Sequence, residues 1–417
     1  MNTAAKINET AKNRIYSSLR ELIKQTVIYN NYAIIQTNYS EAPYQTYERE
    51  VLKIRGKFIT PADITSISMR IFNDSLSRKI TDTETSPKEG QTLWDFLGTE
   101  EGEAIAKYIA DYIESIPYDI EIYIPLPEIP KLSSAEIKLA DGISLVNSAG
   151  DPKLEPLARQ TPSSELGIGV TNEVSNRVFL KQRMAGFLTT NPDAIHARLA
   201  VSNLKTMIHY GTMLGDFKRK FKSFREIASR VYSAEKLSAT CFDAISFGSS
   251  TQGVHYPLAY QLCRTLPTVS MQAPFHCDEL KNIALLISSN SKDLDAARIK
   301  SAIKWDFDSS LDELENPALS LLQICIGLEA LLGDLGSQEG VTRTLSDRYA
   351  YLLGQNTEER NDIKNNFKEL YETRSNIVHG KYVELNDDAK QLLHWGRQLL
   401  GRAILKEFDA WLLDKSN

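Results

Sequence analysis

Arg374 and His379 are the residues whose types and spacing best suit catalysis in this 417-residue chain. Counting from Ile363 by four, three, four and three residues reaches Arg374 and then Ile377, so the arginine lies on the apolar stripe of a predicted helix. An arginine keeps its charge, and a guanidinium on such a stripe must be paired or must face a groove or interface that a polyanion can reach. His379 follows about 7.5 Å along the helix axis and about 140° around it, so the two side chains can flank one edge of the helix.

Gly380 directly follows this pair and predicts where the helix ends. Glycine adopts the left-handed conformation that terminates many helices without steric cost. His379 would then lie in the last turn, where the helix dipole stabilises an imidazolium and favours a histidine able to donate a proton.

Four successive helices are predicted to position this motif, beginning after Asn316. Their apolar residues recur at spacings of three and four, and the last helix has Asn386 as its N-cap. The predicted helices are Pro317 to Leu332, Val341 to Leu353, Glu358 to about His379, and Asp387 to Leu413. We expect a helical bundle of about a hundred residues that holds the chemistry.

The RSNIVHG run, Arg374 to Gly380, resembles the R-x4-H signature of HEPN ribonuclease domains. The segments GLEALLG (327–333), LSDRYAYLLG (345–354) and LYETRSNIVHG (370–380) also resemble, in order, the blocks of the ApeA-like HEPN proteins. Those proteins join a variable N-terminal region to a C-terminal HEPN bundle. The resemblance covers about Ala302 to Leu413, roughly a quarter of the chain.

This resemblance implies a metal-independent endoribonuclease that needs no cofactor. The RNA 2′-hydroxyl would attack the adjacent phosphate, with His379 moving a proton and Arg374 gripping the phosphate. In the family two bundles pair so that both motifs form one composite site, which implies a homodimer. ApeA-like relatives act in abortive defence against phage, which implies an antiviral effector restrained until a phage-derived or cellular trigger arrives. Transfer RNA is the substrate the family suggests, and no residue favours it over other RNA.

Two other interpretations stay open. Arg374 and His379 can form a core ion pair and a helix cap, in which case the bundle is a catalytically silent module that binds RNA or a partner protein. A conventional metal-dependent nuclease would differ by losing activity in chelator.

Several polar residues are candidates to support the motif. Glu329 lies on a predicted helix that is apolar nearly all round, and a carboxylate buried there needs a cation. Arg348 and Arg374 are the two candidates, and a structural pairing that orients Arg374 is the favoured role. Ser375 directly follows the arginine, at the position where the family often has Asn, Asp or His, and Asn376 comes next, so the supporting polar group is undecided.

A basic segment, FKRKFKSFR at 217–225, is the candidate RNA-binding surface. Its cations among phenylalanines suit phosphates and bases, although the phenylalanine spacing equally fits a helix with an apolar inner face and a solvated outer one. The segment matters because residues 301–417 carry 13 Lys and Arg against 20 Asp and Glu, a net charge of −7. The candidate RNA-binding residues are Lys218, Arg219, Lys220, Lys222 and Arg225.

The rest of the chain predicts an α+β, multidomain protein, with mixed α/β N-terminal regions before the all-α bundle. Region 1–118 begins with a helix from Glu9 to about Tyr29, continues with strands in YAIIQTNY, REVLKIRGKFI and SISMRIF, and ends with a helix from Trp94 to Ile116. Region 119–300, the expected sensing region, is β-rich and then helical. It has a strand in YDIEIYIPLPEIP, a hairpin at Asp141-Gly142 and a helix starting at Asn191-Pro192. Region 301–417 is the bundle.

Composition restricts the protein class. A formal net charge of −6 and a pI near 5.7 exclude a protein whose whole surface binds polyanions. No leader sequence or stretch of 18 apolar residues is present, so we expect a cytoplasmic protein without membrane contact. Four dispersed cysteines without CxxC spacing predict neither a disulfide framework nor a structural metal site.

Overall fold

The computed structural model describes residues 7–35, 42–126, 132, 134–147, 178–189, 191–214, 217–220, 238–241, 268–271, 277–290, 292–313, 315–333, 341–381 and 384–416. This part of the chain is mostly helical with small antiparallel sheets, which confirms the α+β class with a helical C-terminal region. Most of its buried apolar side chains form one continuous core that extends from Ile7 to Trp411, and Tyr123, Val146 and Phe179 form a second, small cluster.

The N-terminal region is largely helical. Its elements are α1 (Glu9–Gln25), β1 (Val27–Tyr29), β2 (Tyr32–Ile34), α2 (Ala42–Arg55), α3 (Pro61–Thr83), α4 (Leu93–Leu97) and α5 (Thr99–Ser115). The strand expected in YAIIQTNY is present as β2, which pairs with β1. Gly98, with φ +89°, interrupts the helix that was expected to run unbroken from Trp94.

The strands predicted in REVLKIRGKFI and SISMRIF are wrong, because the first segment is helical as far as Arg55 and then turns, and the second is helical throughout. Thr60 and Asp63 form a capping box, with Pro61 in the first turn, and this fixes the start of α3. Ile64, Ile67 and Ile71 then face the core at helical spacing. Burial of that face outweighs the β preference of its branched residues.

The middle of the chain holds the main sheet. The elements are β3 (Tyr118–Leu126), β4 (Glu136–Ala140), β5 (Ile143–Asn147), β6 (Val178–Gly186), α6 (Ile195–Leu214), β7 (Phe217–Lys220), β8 (Ser238–Cys241) and β9 (Thr268–Met271). Five of these strands form an antiparallel sheet in the order β4-β5-β6-β3-β8, and the hairpin at Asp141-Gly142 is confirmed between β4 and β5. Helix α6 starts a few residues after Asn191, which instead accepts a hydrogen bond from Asp193 N.

The C-terminal part of the chain is helical, and the last four of its helices agree closely with the sequence prediction. They are α7 (Cys277–Ser288), α8 (Leu294–Asp312), α9 (Pro317–Leu332), α10 (Val341–Leu353), α11 (Thr357–Val378) and α12 (Asp387–Ser416). Helix α8 packs on α9 and α12, and α10 packs on α11. The predicted boundary at residue 300 falls within α8, and the division into domains stays a prediction.

A buried polar contact joins the middle of the chain to the bundle. His209 on α6 and Asp306 on α8 form a hydrogen bond of 2.8 Å, and both side chains are almost fully buried. Arg397 on α12 lies 3.8 Å from the other Asp306 oxygen and also bonds Ser309 and Ser320. The helix that packs on the sheet is therefore tied to the core of the bundle.

Candidate functional site

The C-terminal end of α11 is fixed by its own backbone. Gly380 adopts φ +71° and donates to Ile377 O at 3.0 Å, while Lys381 N donates to Asn376 O at 2.8 Å. These two bonds form a Schellman motif. The predicted role of Gly380 is confirmed, and His379 occupies the C-cap position.

His379 faces solvent at this helix end. Its backbone N–H donates to Ser375 O at 3.0 Å, so the backbone that carries the imidazole is anchored. Within the described part of the chain, the imidazole itself forms no hydrogen bond or ion pair. The ring is thus accessible to a bound molecule.

Arg374 lies one turn and a half earlier on α11 and is half-buried. Its Nη2 atom lies 3.5 Å from Glu329 Oε1 on α9, which confirms that one of the two candidate arginines pairs with this carboxylate. The separation exceeds the 2.7–2.9 Å typical of charge-assisted hydrogen bonds. The carboxylate therefore orients the guanidinium without enclosing it.

Glu329 is more accessible than its helix composition predicted. Its side chain is 34% exposed, because α9 turns Leu321, Ile324 and Leu328 toward the core and leaves Glu329 at the edge of that face. The expectation of a buried carboxylate is corrected to an ion pair at the surface. Such a pair contributes little to stability, and its main consequence is the direction of the Arg374 side chain.

Arg348, the other candidate partner, has a different role. Its Nη1 atom donates to Leu332 O at 2.5 Å, at the C-terminal end of α9. A cation at this position satisfies a terminal carbonyl and complements the helix dipole. Arg348 therefore holds α9 against α10.

The guanidinium of Arg374 packs against the first ring of an aromatic stack. Tyr371 lies beneath the guanidinium, with 5.8 Å between Arg374 Cζ and the ring centroid. The Tyr371 ring stacks on Phe367 at 4.7 Å, and Phe367 stacks on Tyr349 at 5.6 Å. Burial raises the pKa of both tyrosines well above the ordinary value, so they stay protonated.

These tyrosines also bond the backbone of α9. Tyr349 donates to Leu328 O at 2.9 Å and Tyr371 to Cys325 O at 3.5 Å. Sequence reasoning missed Tyr371 as a support, although its position three residues before Arg374 puts both side chains on one helix face.

The remaining supporting candidates lie at the same helix end. Ser375 is exposed and Asn376 is half-buried, and the backbone carbonyls of both accept the bonds that terminate α11. The structure thus brings Arg374, Ser375, Asn376 and His379 together on one turn and a half of helix, with Glu329 on the neighbouring helix.

The basic segment is described only in part. Residues 217–220, which include Lys218, Arg219 and Lys220, form β7, which pairs antiparallel with β9. The helical interpretation is therefore wrong for these four residues, because backbone pairing with β9 fixes them in an extended conformation. Lys222 and Arg225 lie outside the described residues.

The described residues contain no cluster of three or more His, Cys, Asp or Glu side chains able to hold a metal ion. No helix among them combines the length and apolar character needed to cross a membrane.

Comparison of the chain with protein-family models, with curated proteins and with solved structures found no match.

Proposed function

We propose that this protein is a metal-independent endoribonuclease of the HEPN type. The observation that supports the proposal is the arrangement at the end of α11. There Arg374, which is about one-third exposed and is oriented by Glu329, precedes a solvent-facing His379 on an anchored helix terminus. The products would be a 2′,3′-cyclic phosphate and a 5′-hydroxyl.

The two residues divide the chemistry. His379 takes the proton of the attacking 2′-hydroxyl or gives one to the leaving 5′-oxygen, and each such role typically contributes about 10²–10⁴-fold. Arg374 contacts the phosphate and stabilises the charge that develops as the new P–O bond forms and the old one breaks.

One chain supplies one such histidine, whereas the reaction uses both a base and an acid. Pairing of two chains through the C-terminal bundle supplies the second His379 and a composite site. We therefore include a homodimer in the proposal.

The biological part of the proposal follows from the family resemblance. The protein would act in the cytoplasm as an abortive-infection effector whose RNA cleavage, with transfer RNA as one substrate, stops translation in an infected cell. The region before residue 300 would respond to a phage-derived or cellular trigger.

The alternative is a catalytically silent HEPN module that binds RNA or a partner protein. One observation favours it: Arg374 already has an anionic partner in Glu329, whose carboxylate competes with a phosphate for the guanidinium.

The deciding experiment compares the wild type, His379→Ala and the matched control His394→Ala, which changes another exposed histidine of the bundle. Each purified protein is incubated with total cellular RNA in excess chelator, and the cleavage ends are mapped. Discrete ends with cyclic phosphate in the wild type and control, but not in His379→Ala, would support the nuclease.

Absence of cleavage by all three proteins calls for a second assay in phage-challenged cells. Growth arrest by the wild type and His394→Ala, but not by His379→Ala, would support a nuclease that awaits its trigger. Equal behaviour of all three proteins in the cells would favour the silent module.

A further inference from the structure

Three exposed cations form a row along α2, in the N-terminal region and outside the bundle. Arg49, Lys53 and Lys57 follow one another at intervals of four residues, so each lies about 6 Å beyond the last along the helix axis. Lys57 belongs to the turn that directly continues the helix, where Gly56 N donates to Leu52 O at 2.8 Å. We call these three cationic side chains the α2 ridge.

The cations of the α2 ridge have no anionic partner. Within the part of the chain that the structure describes, none of their side chains forms an ion pair or a hydrogen bond. Cations of the neighbouring helices differ, because Lys12 and Arg20 of α1 and Lys79 of α3 each lie within 3.0 Å of a carboxylate. In a chain with a net charge of −6, the ridge is therefore a local concentration of uncompensated positive charge.

The carboxylates of α2 do not offset this charge. Its sequence contains two, Glu48 and Glu50. Glu50 is 9% exposed and lies 3.7 Å from the guanidinium of Arg14 on α1, so its charge is already paired. Glu48 is half-buried and lies on a different face of the helix from Lys53 and Lys57. The exposed row is therefore cationic along its whole length.

The helix that presents the ridge is anchored on its other side. Tyr47 and Val51 are fully buried on the face opposite Arg49, and the Tyr47 hydroxyl lies 3.1 Å from the Ser68 hydroxyl of α3. The apolar face of α2 is thus used up in the core. What the helix presents to solvent along the ridge is charge, with no exposed apolar side chain.

We propose that the α2 ridge binds the phosphodiester backbone of a nucleic-acid strand. Charge alone is enough to bind such a backbone, because each neutralised phosphate releases counterions whatever the base sequence. A protein partner would need an apolar centre in its interface, and a membrane surface would need an exposed apolar helix face, and the ridge has neither. Cations do not distinguish the two nucleic acids, so the strand is either RNA or DNA. The proposal does not depend on catalysis at His379.

Binding to the full-length protein is measured by fluorescence anisotropy at several salt concentrations. The labelled probes are a 2′-O-methyl oligoribonucleotide, which lacks the attacking hydroxyl and stays intact, and single-stranded DNA of the same sequence. The triple variant Arg49→Gln/Lys53→Gln/Lys57→Gln should weaken binding at least about tenfold at low salt. It should also reduce the slope of log affinity against log salt by about 2, since each lost contact with a single strand removes about 0.7.

The matched control removes the same charge from scattered positions of the same region. Arg78→Gln/Lys88→Gln/Lys107→Gln changes three exposed cations that lie on α3, in the loop after it and on α5. This variant should weaken binding about twofold at most and leave the salt slope unchanged, because its cations do not form a row. Unlabelled poly-L-glutamate is the competitor that represents an acidic protein.

The outcomes separate the sources of the strand. Binding of both probes that the ridge variant weakens supports recognition of any backbone, and the same sensitivity for one probe alone assigns the strand to RNA or to DNA. The proposal is overturned if neither probe binds, if the control variant weakens binding as much as the ridge variant, or if poly-L-glutamate competes as well as an unlabelled strand. RNA cleavage by the wild type, with equal binding by the wild type and the ridge variant, would overturn the ridge and leave the nuclease standing.

Discussion

The guanidinium of Arg374 and the carboxylate of Glu329 form an ion pair of 3.5 Å between α11 and α9, with each side chain about one-third exposed. The pair is too exposed to stabilise the fold strongly, since such pairs contribute about 0–1 kcal/mol. The pair does fix the orientation of the Arg374 guanidinium. In the proposed ribonuclease, Glu329 is therefore a positioning residue for Arg374. Several consequences of this geometry and of the wider fold can be measured.

Replacing Glu329 with Gln should change activity more than stability. The variant keeps the size of the side chain and loses the charge that orients Arg374, so we expect kcat for RNA cleavage to fall about tenfold with KM little changed. The free energy of unfolding should change by less than about 1 kcal/mol.

Asp347→Asn is the matched control, because it removes a bundle ion pair of similar exposure, 2.6 Å from Lys364. It should leave RNA cleavage unchanged. Faster cleavage by Glu329→Gln than by the wild type would show instead that the carboxylate restrains Arg374.

Gly380→Ala should destabilise the end of α11. The residue has φ +71° with no neighbouring atom within 4 Å of an added methyl group, so the cost is conformational and amounts to about 1–2 kcal/mol. Gly380→Asn should cost less, since asparagine tolerates the left-handed region. Denaturant unfolding measures both variants, and equal losses would contradict this account.

Asp306→Ala should be strongly destabilising. The substitution removes the buried carboxylate that lies between His209 and Arg397. Breaking a buried charged network typically lowers the free energy of unfolding by about 3–5 kcal/mol. Asp308→Ala on the same helix is the control, because Asp308 is 25% exposed and lies 3.9 Å from Lys205. If Asp308→Ala lowered the free energy of unfolding as much as Asp306→Ala, the buried contact would have no special role in stability.

Asp293 should make the free energy of unfolding depend on pH in the acidic range. This N-cap of α8 accepts hydrogen bonds from Ala296 N and Trp411 Nε1 and pairs with Lys415, and the Ala296 bond is the largest cause that lowers the pKa of its carboxyl to about 2. Because the folded pKa lies below the unfolded value of about 3.9, the stabilisation is complete above pH 4 and is lost as the pH falls toward 2.

Two variants of Asp293 separate its cap from its charge. Asp293→Ala should lower the free energy of unfolding by about 1–2 kcal/mol at neutral pH. This difference from the wild type should become smaller as the pH falls from 4 to 2. Asp293→Asn keeps an equivalent cap and should lose only the pH-dependent part. Urea unfolding across this pH range is the measurement, and a constant difference between Asp293→Ala and the wild type would refute the assignment.

The C-terminal helices were predictable because their signals are local. Asn316 accepts a hydrogen bond from Leu319 N and Asn386 one from Ala389 N, as expected of N-caps, and Gly380 ends α11. Capping and helical periodicity involve residues within one or two turns, so the sequence by itself determines them. The separation of Arg374 and His379 by five positions is equally a property of the sequence.

Residues 49–72 show where local reading failed. Their β-branched residues favour strands, yet Val51 of α2 is buried, and Ile64, Ile67 and Ile71 of α3 are buried at helical spacings of three and four. Whether these residues form helices or strands depended on the core to which α1 and α5 also contribute. The strand preference of single residues carries no information about that core.

What the sequence determined is therefore the set of four helices after Asn316 and the spacing of Arg374 and His379. Only the tertiary structure decided that Arg374 rather than Arg348 pairs with Glu329, that Tyr371 supports the guanidinium, and that His209 meets Asp306 across 97 positions of chain. These contacts join residues far apart in sequence. Their existence depends on how the helices pack, which no spacing within one helix specifies.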